Sequence, residues 1–202
     1  MGANMSVART SSIGGISFQE SKSLQGDAMI VEEVSVPAAN AAVLSTRSGN
    51  TSGTITCDES SHSIDEGDLV DVYWDGGCRR SMVAGVLSGA DVPLTGGSGD
   101  NLPTQDTVVT AAVAQELDVG VLGTNVIAIA LATQSRGQFS FQDSGGEEWA
   151  VELGAGESKT WHNEMASEDN PITGDQITKV LVSHAASTGA KTMKVGILYD
   201  ND

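Results

Sequence analysis

Apolar residues in this chain never run beyond seven consecutive positions, residues 126–132, and the shorter runs are set apart by Gly, Pro, Asn, Asp and Ser. A helix that packs on a core needs an apolar stripe kept up over about ten residues or more, whereas a strand needs only about four to eight. The punctuation therefore favours many short strands. Alternation supports this, because Phe139 and Phe141 fall on one face of an extended segment, as do Trp149, Val151 and Leu153. Near the C-terminus Ile177, Val180 and Val182 mark one strand, and Met193, Val195, Ile197 and Tyr199 the inward face of the last. Thr188-Gly189 is expected to turn these two into a closing hairpin. Residues 125–133 alternate Ile127, Ile129 and Leu131 with alanines, the pattern of a strand covered on both faces. With 24 Gly for tight turns and only 4% aromatics, the core must come mainly from Val, Ile, Leu and Ala.

The expected fold is all-β, a β-sandwich or jelly-roll-like body carrying a polar N-terminal arm. Residues 1–15 are polar and end in glycine, which predicts an extended arm. Residues 89–103 hold Pro93, Gly96, Gly97, Gly99 and Pro103, the densest run of breakers, and predict a boundary there. That divides the body into residues 16–104, a small β domain or the first half of a sandwich, and residues 105–202, a sandwich ending in the hairpin. Residues 69–74 and 80–88 are expected to pair around Gly76-Gly77. Residues 107–122 mix strand and helix formers and are read as strand.

Ten basic against 27 acidic residues leave a net charge of −17, spread evenly along the chain. Such a field repels phosphate backbones and anionic lipid, so neither nucleic acid nor membrane is expected as a partner. No apolar run approaches the roughly 20 residues that span a bilayer as a helix.

Reactive constellations are sparse. Gly96-Gly97-Ser98-Gly99-Asp100 resembles the start of a nucleophile elbow, but Asp100 stands where the second glycine belongs, and a glycine-rich turn is the better reading. His62, His162 and His184 are scattered, with no second His three or four residues away as zinc sites use. Asp58, Glu59, Asp65, Glu66 and Asp68 crowd one loop, and Glu164, Glu168, Asp169 and Asp175 another. Either offers oxygens to Ca²⁺, yet neither has the EF-hand register, and solvated carboxylates are expected. Cys57 and Cys78 have no CxxC partner and are read as free, packed thiols. No catalytic residue, cofactor or metal is expected, and the chain is read as a non-enzyme. Tyr73 and Trp74 would suit a sugar platform with Asp71 and Asp75, or the core. Arg79-Arg80, the single adjacent basic pair, would suit a partner's acidic groove, or pairing with acids of its own chain.

The polar N-terminal segment, the Gly-rich body with GDLVDVYWDGG and NVIAIALAT, and the ending KVGILYDND resemble the head-decoration or cement proteins of tailed bacteriophages. The resemblance implies a non-enzymatic virion protein, made in the host cytoplasm, trimeric, and seated on the outer capsid lattice. Its partner would be the major capsid protein, and it would stabilise the shell by bridging capsomers. Contact residues on this reading are Arg9, Ile13, Ile16 and Phe18 in and beside the arm, together with Arg79 and Arg80. The alternatives are a phage tail, baseplate or fibre subunit, and a carbohydrate-binding β-sandwich using Tyr73, Trp74, Trp149 or Trp161.

Overall fold

The computed structural model describes residues 3–13, 16–85, 87–117, 125–146, 148–165, 172 and 176–200, and for 7–13 and 16–22 the backbone alone. Among the described residues every element is a strand and all pairings are antiparallel. The all-β expectation holds.

Two four-stranded sheets enclose the larger core. One has the order β10 (Gln115–Leu117), β15 (Ile177–His184), β12 (Gly137–Asp143), β13 (Glu148–Leu153). The other runs β14 (Ser158–His162), β11 (Asn125–Thr133), β16 (Lys191–Asp200), β3 (Ala28–Val36). Phe139, Phe141, Val180 and Val182 from the first meet Ile129, Leu131, Met193, Val195, Ile197 and Tyr199 from the second in one buried cluster. Period-2 alternation is what puts these residues on one face of each strand. The closing hairpin, however, does not form, because β15 and β16 belong to opposite sheets. Both strands have an apolar inward face, and those faces pack across the core instead of lying edge to edge.

The second core lies inside a closed six-stranded barrel, which the sequence did not announce. β4 (Asn40–Arg47), β5 (Gly53–Cys57), β8 (Asp91–Gly99), β7 (Gly77–Val83), β6 (Leu69–Trp74) and β9 (Val108–Val113) close in that order. Leu44, Ile55, Val70, Val72, Val92 and Val109 fill it. β6 and β7 form a hairpin around Gly76 as expected, but the partner strand is Gly77–Val83 and not residues 80–88. The breaker run at 89–103 is no boundary, since most of it is β8, paired to both β5 and β7. Its glycines serve a bulge, where the register with β7 shifts between Arg80 and Met82. Gly97 has φ +76°, and a Cβ there would run into the Arg80 carbonyl. Gly97→Ala is therefore expected to lower stability by about 2–4 kcal/mol, read as a fall in the urea midpoint, because left-handed strain and a backbone clash add.

The N-terminal arm is likewise corrected. β1 (Ala3–Ile13) pairs with β2 (Ile16–Gly26) over its whole length, so a boundary at residue 15 would separate two paired strands. The hairpin's base is seated on the outer face of the β14-β11-β16-β3 sheet, where Met5 and Leu24 are buried with Ala128 and Leu198. β11 is thus covered on both faces, as its composition predicted. A bulge between Val126 and Ala128 sends Val126, not Ile127, into the core.

Candidate functional site

The densest gathering of reactive side chains lies where the barrel meets the sandwich. In β6 the alternation that sends Val70 and Val72 into the barrel turns Asp71 and Tyr73 outward, and β7 sets Arg80 and Cys78 directly opposite them. In the facing sheet, Phe139 and Val182 point to the core, so their neighbours Gln138 and Ser183, paired in register, point to the barrel.

These groups form one directed chain of hydrogen bonds. Arg80 grips Asp71 with two, Nε to Oδ1 at 2.9 Å and Nη2 to Oδ2 at 2.5 Å. The carboxylate can only accept, so Ser183 donates to Asp71 Oδ2 at 2.5 Å and the Tyr73 hydroxyl donates to Ser183 Oγ at 2.6 Å. The backbone N–H of Gln138 then donates to the Tyr73 oxygen at 3.1 Å. Cys78 Sγ donates to Gln138 Oε1 at 2.9 Å. Asp71 and Ser183 are wholly buried, and Arg80 is only 7% exposed. Burial pushes the Tyr73 hydroxyl well above its ordinary range, and the Asp71 charge adds to this. Burial and then Asp71 likewise drive the Cys78 thiol upward.

Arg136 closes the rim. It donates to the carbonyls of Trp74 at 2.6 Å and Gly77 at 2.9 Å, pairs with Glu152, and lies over the Tyr73 ring. Its hydrogen bond to Glu152 raises its pKa further. It thereby holds both ends of the β6-β7 turn.

His184, fully buried, fastens the other side of the joint. Nδ1 accepts from the Ala186 N–H at 3.2 Å, so Nε2 carries the proton and donates to the Val36 carbonyl at 2.9 Å. Both nitrogens are satisfied only in the neutral ring. Burial lowers its pKa, opposed by the Val36 carbonyl, and Lys191 lowers it further. The unfolded chain takes up this proton near pH 6.5 while the folded chain resists it, so the stabilisation is full above about pH 6.5 and is lost as pH falls. Between about pH 7 and 5.5 the melting midpoint should fall for the native chain and stay flatter in His184→Gln.

The residues singled out from sequence fare unevenly. Arg80 is held by Asp71, and Arg79, 3% exposed, donates to the carbonyls of Gly96, Gly97, Gly99 and Asp100. Neither is available to a partner's groove, which corrects that expectation, while the alternative of pairing with an acid of its own chain holds for Arg80. The glycine-rich segment turns its carbonyls toward a guanidinium and forms no nucleophile elbow. Arg9, Ile13, Ile16 and Phe18 belong to the β1-β2 hairpin, opposite Glu20, Ile16, Ile13 and Ser11, and their side chains lie outside the described residues. Tyr73 and Trp161 are buried and Trp149 stacks on Phe141 with ring centroids 4.0 Å apart, so these aromatics make no common sugar platform.

Cys57 and Cys78 are both free and buried. Burial, then Asp58 and Asp91, pushes Cys57 up to about 11. His62 contacts the Gly89 carbonyl, and His162 and His184 stand in different sheets. In the first acidic loop Asp68 accepts from the Asp65 N–H in a turn. Glu168, Asp169 and Asp175 of the second lie outside the described residues. Among the described residues no group of three or more His, Cys, Asp or Glu is placed to hold a metal ion.

No protein-family model and no curated protein matches the chain. The joint must be judged on its own chemistry. Asp71, which accepts from Ser183, is already committed to Arg80, and the hydroxyls of Ser183 and Tyr73 are both bound within the chain of donors. Such a network, satisfied at every step, fixes one packing of barrel on sandwich. Pairing of Arg80 with an acid of its own chain was open to sequence; the covering row of Gln138 and Ser183 was not.

Proposed function

We propose that this protein is a non-enzymatic structural protein of a tailed-phage virion, a decoration or cement protein that seats on the outer capsid lattice and bridges capsomers. In this reading the two four-stranded sheets are the jelly-roll-like body, and the barrel is locked to them so that both present one rigid surface. The observation that carries the reading is the β1-β2 hairpin. Eleven residues pair on each side, and at its base Met5 and Leu24 are buried against Ala128 and Leu198 of the body. Residues 1–26 hold two bases and one acid, against eight bases and 26 acids in the remainder, so a slightly positive hairpin stands on a strongly negative body. That contrast suits a contact with the acidic body of a neighbouring copy within a trimer.

A second feature lies beside the hairpin. Val31, 61% exposed, and Met29, 38% exposed, stand on the outward face of β3, which among the described residues is an edge strand paired to β16 alone. An edge with apolar outward residues is a natural surface for burial against the major capsid protein. A bridging contact that buries about 1,200–2,000 Å² at each junction would hold neighbouring capsomers together against internal pressure. Size-exclusion chromatography with light scattering tests the assembly side of the proposal: a stable trimer is expected, and a monomer at all concentrations counts against it. Glycan-array binding by that monomer would favour the carbohydrate-binding alternative. A tail, baseplate or fibre position rests on the same kind of contact and is separated from the head by imaging.

A further inference from the structure

We propose that Cys78 and Gln138 are the two halves of an intramolecular thioester that staples the barrel to the sandwich. The Cys78 thiol already donates to the Gln138 side-chain carbonyl at 2.9 Å, across 60 positions of sequence and between β7 and β12. Both residues are more than nine-tenths buried, at 5% and 6% exposure. Each is also fixed from behind. The Cys78 N–H is held by Asp100 Oδ2 at 3.1 Å and its strand pairs with Tyr73, while the Gln138 N–H is held by the Tyr73 hydroxyl. Gln138 further pairs with both Glu152 and Ser183 in the centre of its sheet. Two reactants held this way, with little freedom left to lose, correspond to effective concentrations of about 10⁵ M or more.

The step is balanced without any outside reagent. Sγ adds to Cδ of Gln138, the carbonyl π pair moves to Oε1, and Oε1 takes the thiol proton along the existing hydrogen bond. The carbonyl then re-forms, the C–N bond breaks, the proton passes to the departing nitrogen, and ammonia leaves. Nothing is oxidised or reduced. The direct hand-over of the proton matters because burial drives the thiol upward and disfavours a free thiolate. The same burial keeps water from the product. Cys57, packed among the aliphatic residues of the barrel core, serves as the internal control.

The test is the mass of the purified full chain, denatured in acid without reductant. The expected result is a species about 17 Da lighter than the sequence, the mass of one ammonia, with one titratable thiol in place of two. Proteolysis of that sample should yield the Cys78 and Gln138 peptides joined. Methylamine added on unfolding should convert Gln138 to its methylamide and release the Cys78 thiol. Cys78→Ser and Gln138→Ala should each show the full mass of their own sequence, whereas Cys57→Ser should still be lighter by one ammonia. Because the native chain alone decides, poor folding of a variant leaves the test intact. Full mass with two free thiols, or a disulfide with no ammonia lost, overturns the proposal.

Discussion

Asp71→Ala is expected to cost about 3–5 kcal/mol and to lower the melting midpoint by roughly 10 °C. The substitution leaves Arg80, 7% exposed, as an unpaired buried cation, and it removes the acceptor of the Ser183 hydroxyl. The Tyr73 hydroxyl and the Gln138 N–H are then misaligned in turn. A protein of this kind has a net stability of only about 5–15 kcal/mol, so the loss is a large share of the whole. The double variant Asp71→Leu with Arg80→Met removes both charges together and should recover most of the loss, since replacing a buried pair by apolar groups of similar volume is often close to neutral. Urea melts of the three chains decide the matter. Equal destabilisation in the single and double variants would mean that the cost lies in packing and not in the orphaned charge.

Shortening the hairpin is expected to abolish self-assembly while leaving the body folded. Ser6 and Ser23 are paired in register and can be joined by Asn-Gly, which removes residues 7–22 and closes a two-residue turn. The variant keeps Met5 and Leu24 over Leu198 and Ala128, so its melting midpoint should move by no more than about 5 °C, the effect of a 1–2 kcal/mol change in a chain of this size. In light scattering the full chain should elute as a trimer and the shortened one as a monomer. A trimer that survives the shortening would move the contact from the hairpin to the exposed edge of β3, where Val31→Lys becomes the variant to test.

Much of the strand inventory was legible because one side chain in two faces the core, as at Phe139 and Phe141 or at Met193, Val195, Ile197 and Tyr199. Partnership was less so. An inward apolar face looks the same whether a strand pairs with its neighbour in sequence or packs across from it, so the pattern of β15 and β16 suits a hairpin as well as the two sheets they occupy. Glycines misled for a related reason: at 96–99 they allow β8 to bulge and to offer carbonyls to Arg79, and composition alone cannot tell that from a linker. The polar composition of residues 1–15 reads as an arm. Yet Gly14-Gly15 stands between Ile13 and Ile16, which is the sequence spacing of a two-residue hairpin.

The joint was within reach too. Once residues 69–74 and 77–83 are paired around Gly76, Asp71 falls opposite Arg80 and Tyr73 opposite Cys78 on one barrel face. Opposite charges facing each other beside an aromatic and a thiol mark a wall about to be covered. What sequence could not supply is the row that covers it, because Gln138 and Ser183 come from strands whose pairing is non-local.

The most direct measurement is imaging. Gold-labelled antibody raised against the purified chain, applied to particles released from cells that make it and viewed in negative stain, should decorate heads over their whole surface in a regular array. Label confined to tails or fibres, or absent from every particle, would contradict a role on the capsid lattice.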